Sequence, residues 1–378
     1  MCKFKNAIAV MISAVMMLTA GSMPIAVNAA TVESSSAVAE QTGTYNDFSY
    51  SINSTDVTIT GYTGTETEIE IPSKINGRSV TSIGDSAFRK SAVTNVLIPD
   101  TVDYIGRNAF AGSQIEKIVI PDSVSYLGIG VFSSCFNLKD VILSNNISVI
   151  EEALFFNCKS LSKIVIPNSV ASLKYSAFDN CENLTEIILS DNIEVITRQY
   201  FGGLKKLKRI KLPANLKKIE WHAFASCSSL TDVVIPDKVT TIEFEAFLNC
   251  PNLKRVTLPK SLTEIGSTAF GYTSKLIYDS NGLVIDLELN KVKDFTIYCY
   301  SASYGTAYAK KEGFNYVQVS LGDIDLDSDL TILDVTLMQR YCATDVELNE
   351  TQLNLADVDE NDSIDINDAT AIQRLLVE

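Results

Sequence analysis

Apolar residues along the chain keep a fixed beat. Phenylalanine falls at positions 88, 110, 132, 155, 178, 201, 224, 247 and 270, an interval that is constant to within one position. Five positions before each stands Ile or Leu: Ile83, Ile105, Leu127, Ile150, Leu173, Ile196, Ile219, Ile242 and Ile265. Prolines at 99, 121, 167, 213, 236 and 259 hold the same phase, with Ser144 and Ser190 standing in where proline is missing. A period of this length marks a stacked-repeat architecture, so the register predicts a solenoid of nine turns. Just before the proline position a unit reads apolar-x-x-apolar-x-apolar, as in Leu138, Val141 and Leu143 or Leu230, Val233 and Ile235. That alternation predicts a short strand, which the proline closes because it has no N–H to donate. A second apolar pair, such as Val239 and Ile242, leads into Ala246, Phe247 and Cys250, read as a compact helical or turn segment. No unit can bury its own apolar face, so the units must stack. Strands about 4.8 Å apart would then form a parallel ladder on the order of 40 Å long.

The segments Ile-Pro-Asp-Ser-Val at 120–124 and Leu-Thr-Glu-Ile-Gly-Ser-Thr-Ala-Phe at 262–270 carry the pattern in full. They resemble the BspA-like class of leucine-rich repeats over about residues 45–319. One departure is visible: the glycine after the Ile is kept at Gly84, Gly106, Gly128 and Gly266 but becomes Glu151, Lys174, Thr197, Glu220 and Glu243 elsewhere, so these turns are expected to differ locally. Residues 46–71, with Tyr50, Ile52, Val57 and Ile59 in alternation, predict an N-terminal hairpin. Residues 295–319 resemble the strand-helix-strand that ends such arrays, where terminal units must hide an open core edge.

Side-chain alternation turns the residue two before each proline position outward. In order these are Leu97, Val119, Ile142, Val165, Ile188, Lys211, Val234 and Thr257. The first five form an aliphatic stripe that reads either as a partner-binding face or as the ordinary preference of strands for such residues. Lys205, Lys206, Lys208, Arg209, Lys211, Lys217 and Lys218 crowd seven cations into the stretch 205–218. They read as a solvated face, as a site for an acidic glycan or anionic protein, or as a complement to an acidic domain of the same chain. Leu97, Val119, Ile142, Val165, Ile188, Lys208, Arg209 and Lys211 are therefore the candidate solenoid partner face, for an unknown protein or glycan.

Charge changes the picture at the C-terminus. Residues 320–378 hold 15 Asp and Glu against 2 Arg, so 13 of the 15 net negative charges of this 378-residue chain lie there. A near-neutral body with an acidic end argues against a nucleic-acid partner and toward cation binding. The single histidine, His222, argues against most histidine-dependent catalysis and zinc chemistry. Cys135, Cys158, Cys181, Cys227 and Cys250 recur at the repeat spacing or twice it, which predicts stacked core thiols rather than a disulfide framework and suits a reducing or anaerobic habitat. Residues 1–30, with Lys3 and Lys5, an apolar run from Ala7 to Ala20 and the small residues Val27 and Ala29, read as a secretory signal. An uncleaved anchor is the alternative, and no second apolar run is long enough for a membrane span. Residues 31–45, rich in serine, are expected to be a disordered start, leaving 46–319 for the capped solenoid.

The acidic end is duplicated, Asp323–Asp334 aligning with Asp357–Asp368. Each 12-residue loop sets oxygen side chains at positions 1, 3, 5 and 12, the spacing by which a tight loop wraps a hard cation. Two Ca²⁺ ions are expected. Asp323, Asp325, Asp327 and Asp334 would hold the first, with the Asp329 carbonyl and a water on Thr331. Asp357, Asp359, Asn361 and Asp368 would hold the second, with the Ser363 carbonyl and Asp365. Leu330, Ile332, Ile364, Ile366, Leu337, Met338, Ile372 and Leu375 supply apolar residues that a disordered tail would lack. Two loops, each followed by its helix, resemble a type I dockerin, the module that docks on the cohesin of a cellulosome-type scaffold.

That resemblance implies a cohesin-binding surface of Ile332, Leu333, Gln339 and Arg340, repeated as Ile366, Asn367, Gln373 and Arg374. It departs from the pattern at loop position 6, where Ser328 and Asp362 replace glycine. The expected fold is a β-rich leucine-rich-repeat solenoid joined, at 320–378, to a small all-α calcium-binding domain. The expected function is that of a secreted, non-catalytic recognition or adhesion protein held on a cohesin-bearing complex that degrades polysaccharide. A glycoside hydrolase of such a complex and a free host- or cell-surface adhesin are the alternatives.

Overall fold

The computed structural model describes residues 41–53, 55–279, 283–359, 361 and 363–377. The leader-like segment 1–30 lies outside the described residues. Ten parallel strands form a first ladder, from Asp56–Tyr62 and Arg78–Ile83 through Tyr104–Ile105 to Thr241–Ile242 and Glu264–Ile265. A second ladder runs from Glu68–Glu70 and Asn95–Leu97 through Lys117–Val119 to Asp232–Val234, Arg255–Leu258, Thr296–Tyr300 and Asn315–Val319. Together they describe about eleven turns, because both caps continue the stack beyond the nine phenylalanine units. The first ladder corrects the reading of one strand per unit: the pair Val239 and Ile242 ends in a strand of its own, Thr241–Ile242.

The segment holding each phenylalanine is a turn rather than a helix. In every unit the residue two before the Phe is left-handed, including Ser86, Asn108, Ser176, His222 and Glu245 at φ of 60, 54, 57, 57 and 57°. A second left-handed residue follows the Phe by two in most units, as at Asn157, Asn180 and Ser226. These paired reversals bend the chain sharply and drive the ring inward. The rings then stack along the axis, with Phe224 and Phe247 at 4.8 Å and Phe132 and Phe155 at 5.5 Å between centroids. Beside them Cys158, Cys181 and Cys250 donate Sγ–H to the carbonyls of Phe132, Phe155 and Phe224 at 3.0, 3.1 and 3.2 Å. The thiols are free and buried, and burial pushes that of Cys181 up to about 12, so they are core groups and not nucleophiles.

At the N-terminal end the expected hairpin is present as Phe48–Asn53 against Asp56–Tyr62. Residues 41–45, read as part of a disordered start, instead form a strand antiparallel to Phe48–Asn53. At the C-terminal end, helix α1 (Tyr304–Glu312) joins the strands Thr296–Tyr300 and Asn315–Val319. An antiparallel hairpin, Tyr272–Tyr278 with Val284–Lys291, was not legible in the sequence and projects between the last phenylalanine unit and this cap. Beyond it lie helices α2 (Ile332–Cys342), α3 (Glu350–Ala356) and α4 (Ile366–Leu375) around a small core of Ile324, Val335, Met338, Ala356, Ala369 and Ile372.

Candidate functional site

The two halves of the C-terminal module share the hydrogen bonds that close each loop onto its helix. In the first loop Ile324 and Asp325 donate their N–H groups to Asp334 Oδ1 at 2.7 and 3.1 Å, and Thr331 N–H donates to Asp334 Oδ2 at 2.8 Å. In the second, Val358 and Asp359 donate to Asp368 Oδ1 at 2.8 and 3.2 Å, and Asp365 N–H to Asp368 Oδ2 at 2.9 Å. Thr331 and Asp365 are the N-caps of α2 and α4, accepting from Leu333 N–H at 3.1 Å and Asn367 N–H at 2.7 Å. Both loops thus use position 12 to staple the loop entrance to the helix start, a reciprocal cap that satisfies otherwise orphaned donors.

Oxygens converge inside each loop. One carboxylate oxygen from each of Asp323, Asp325 and Asp327 lies within 4.8 Å of the others, and Asp357, Asp359 and Asp368 do the same. Asp323 is fully buried, and its Oδ1 has no hydrogen-bond partner. Burial, and then repulsion from Asp334, Asp325 and Asp327, raises its carboxyl to about 6. The other oxygen, Oδ2, accepts from Ser328 N–H at 3.2 Å, and a buried carboxylate with one oxygen left over, facing two more carboxylates, is an arrangement that a cation completes. Asp329 and Ser363 occupy position 7, their N–H groups donating to Asp327 Oδ1 at 2.9 Å and Asn361 Oδ1 at 2.8 Å. Ser328, a departure from the glycine pattern, does take a left-handed φ of 78°.

Ile332, Leu333 and Ile366 are 61, 59 and 54% exposed, and Gln339, Arg340, Asn367, Gln373 and Arg374 are exposed beside them. Large aliphatic residues so open to water on the first turn of two equivalent helices form two matching patches.

On the solenoid the outward stripe divides. Leu97, Val119, Ile142, Val165 and Ile188 are exposed, whereas Val234 is half-buried and Thr257 is 1% exposed. Alongside the stripe runs the row to which the candidate Arg209 belongs: Lys117, Asp140, Lys163, Glu186, Arg209, Asp232 and Arg255, alternating in sign. Lys163 pairs with Glu186 at 2.6 Å and Arg255 pairs with Asp232, so the partners on both sides of Arg209 are already engaged. Of the seven clustered cations, Lys205, Lys217 and Lys218 pair with Glu182, Glu194 and Glu243. Among the described residues no ion pair involves Lys206, Lys208, Arg209 or Lys211, or joins that turn to the acidic module. The same turn makes no strand at 209–211, interrupting the second ladder.

His222 and Trp221 are absorbed by the stack. His222 Nε2 lies 2.7 Å from Glu245 Oε2 on the next turn, and Trp221 stacks on Phe244 at 5.7 Å, which covers one of its faces. A shallow depression of about 500 Å³ is lined by Ala171, Ser172, Leu173, Asn192, Glu194, Val195 and Thr197. Its carboxylate, Glu194, is held by Lys217 at 2.6 Å, so it offers no facing pair of the kind glycoside hydrolysis uses. No helix among the described residues is long and apolar enough to cross a membrane.

The family model described as the BspA type leucine rich repeat region matches residues 62–185 and 171–281. Among solved structures, the chain is similar to a leucine rich cell surface protein from Faecalibacterium prausnitzii, 22% identical over 61% of this chain and 92% of that one, with a TM-score of 0.29. It is similar to the pneumococcal vaccine antigen PcpA at 16% identity, over 74% and 99% of the two chains, with a TM-score of 0.33. It also resembles a leucine-rich repeat protein from Bacteroides capillosus, 29% identical over 39% of this chain and 96% of that one, with a TM-score of 0.28. No curated protein matches it.

Proposed function

This chain belongs to the BspA-type leucine-rich-repeat family, and we propose that it is an exported, non-catalytic recognition protein carried on a larger assembly by a calcium-dependent, dockerin-like C-terminal module. The observation that carries the proposal is the duplicated loop, in which the same hydrogen bonds recur in both copies around converging carboxylates. Oxygen-only ligands on 12-residue loops suit Ca²⁺, which takes six to eight oxygens with loose geometry. Asp323, Asp325 and Asp327, with Asp334, would hold one ion. Asp357, Asp359, Asn361 and Asp368 would hold the other.

A bound ion supplies the positive charge that lets these carboxylates sit together. The chain's own residues do the rest: reciprocal capping fixes each helix start to its loop, so ordering the loop sets Ile332 and Leu333, or Ile366 and Asn367, for a partner. Duplication offers the partner two interchangeable faces. On this reading the occupant is a cohesin domain, and the solenoid presents the exposed aliphatic stripe and the unpaired cations of its seventh unit to a protein or glycan. The basic, then apolar, leader-like start supports export.

Binding of the full chain to immobilised type I cohesin, measured with calcium and with EDTA, tests the proposal. Binding that needs calcium, survives Ile332→Asp or Ile366→Asp alone and is lost in the double variant is the expected result. Failure to bind in saturating calcium would overturn the cohesin assignment, and polysaccharide hydrolysis by the purified chain would overturn its non-catalytic role.

A further inference from the structure

The C-terminal module lies on the solenoid's own outward face, and among the described residues it is the first of its two loops that takes part in that seat. Helix α3 crosses the second ladder where the stripe becomes covered. Thr351 Oγ1 and Thr257 Oγ1 are 2.7 Å apart, and the two residues are 3% and 1% exposed. Leu355 is buried with Tyr300 and Val319, against Tyr298, Val317 and Leu326. The seated helix then grips the first loop on both sides of its first ligand. Gly322 N–H donates to Leu355 O at 2.9 Å, and Gln352 Nε2 donates to Ile324 O at 2.8 Å, bracketing Asp323. Ser328 Oγ donates to Gln318 O of the terminal solenoid strand at 2.8 Å.

These contacts hold what the free chain resists. Leu326 and Ser328 both adopt left-handed φ, at 64 and 78°, a conformation that costs energy in a residue other than glycine. Leu326 is kept there by the Tyr300, Val319 and Leu355 cluster, and Ser328 by its bond to Gln318.

We infer that the solenoid end is part of the first calcium site: it preassembles the loop Asp323–Asp334, so that this loop's affinity for its ion depends on the seat being intact. The inference rests on the calcium reading above and adds a dependence on the solenoid that the loop sequence by itself does not contain. Organising a site before the ion arrives removes an ordering cost from binding, and loosening the seat restores that cost. It also follows that the module is fixed and not tethered, with both aliphatic patches turned to solvent.

Calorimetric calcium titration of the full chain tests this, with Asp325→Ala and Asp359→Ala assigning each constant to its loop. Two sites are expected, one lost in Asp325→Ala and the other in Asp359→Ala. Thr257→Arg changes only the solenoid side of the seat. It should weaken the site assigned to Asp325 by about tenfold and move the other by less than about threefold, while Leu97→Lys on an open turn should leave both unchanged. A first-site constant unmoved by Thr257→Arg, or both constants moved equally, would overturn the inference while leaving the calcium reading in place. No calcium binding at all would instead remove the calcium reading itself. Far-UV spectra of each calcium-saturated variant, matching those of the unaltered chain, show that the module is folded in each titration.

Discussion

The solenoid and the module after it solve the same problem with opposite materials. The solenoid buries one continuous apolar cluster from Phe48 to Phe314, and its thiols and ring stacks repeat with the turn. Among its described residues the module has seven fully buried apolar ones, Leu355 of the seat and the six of its own core, and two loops of crowded carboxylates. Apolar burial grows with every added turn and needs nothing from solution. A core of the module's size supplies little by itself, so such domains lean on a metal, a disulfide or a neighbour. Here the neighbour is visible in the seat of α3, and under the proposed calcium reading an ion would complete the carboxylates. On that reading one chain carries a part whose order is intrinsic beside a part whose order is conditional.

Chelation should separate the two most sharply. With EDTA the helical signal of residues 320–378 is expected to melt at much lower temperature, or to be absent, while the strand signal of the solenoid persists. Coincident melts with and without chelator would erase the distinction. Within the solenoid, Phe178→Ala removes a ring stacked between Phe155 at 5.4 Å and Phe201 at 6.1 Å. It should cost about 3–5 kcal/mol in denaturant unfolding of the repeats and leave calcium binding unchanged.

A change in the other direction tests the same core: Tyr200 is fully buried and its hydroxyl has no hydrogen-bond partner, so Tyr200→Phe should stabilise the repeats by about 1 kcal/mol. Acid distinguishes the module again. Asp323 titrates near 6 in the folded chain, above the ordinary aspartate value of about 3.9. In chelator its stabilising contribution is present below about pH 4 and lost as pH rises through about 6, so the metal-free module should gain stability on acidification across that window. The smallest effect is expected at the surface: Lys163→Ala breaks an exposed pair with Glu186 and should change stability by less than about 0.5 kcal/mol.

The period, the inward Phe and Cys positions, the outward stripe and the duplicated loops were all legible in the amino-acid order, because each is local chemistry repeated at a fixed interval. Residues five before each Phe, such as Ile196 and Ile242, announced burial but not a second strand ladder. A two-residue strand has no alternation to read and exists only when the next turn supplies its partner. The hairpin at Tyr272–Tyr278 was missed for a related reason, since it interrupts the repeat instead of obeying it. His222 looked like a chemical singularity until Glu245 on the adjacent turn gave it a partner.

What tertiary structure alone decided was which surfaces remain available. Thr257 belongs to the same outward row as Leu97, yet one is sealed under α3 and the other meets water. Ser328 read as a flaw in a glycine position, and the carbonyl of Gln318 turned it into an anchor. Periodicity is written into neighbouring residues and survives in any one unit. Docking between parts distant in the chain depends on where the whole stack ends, and that position exists only after every turn has folded.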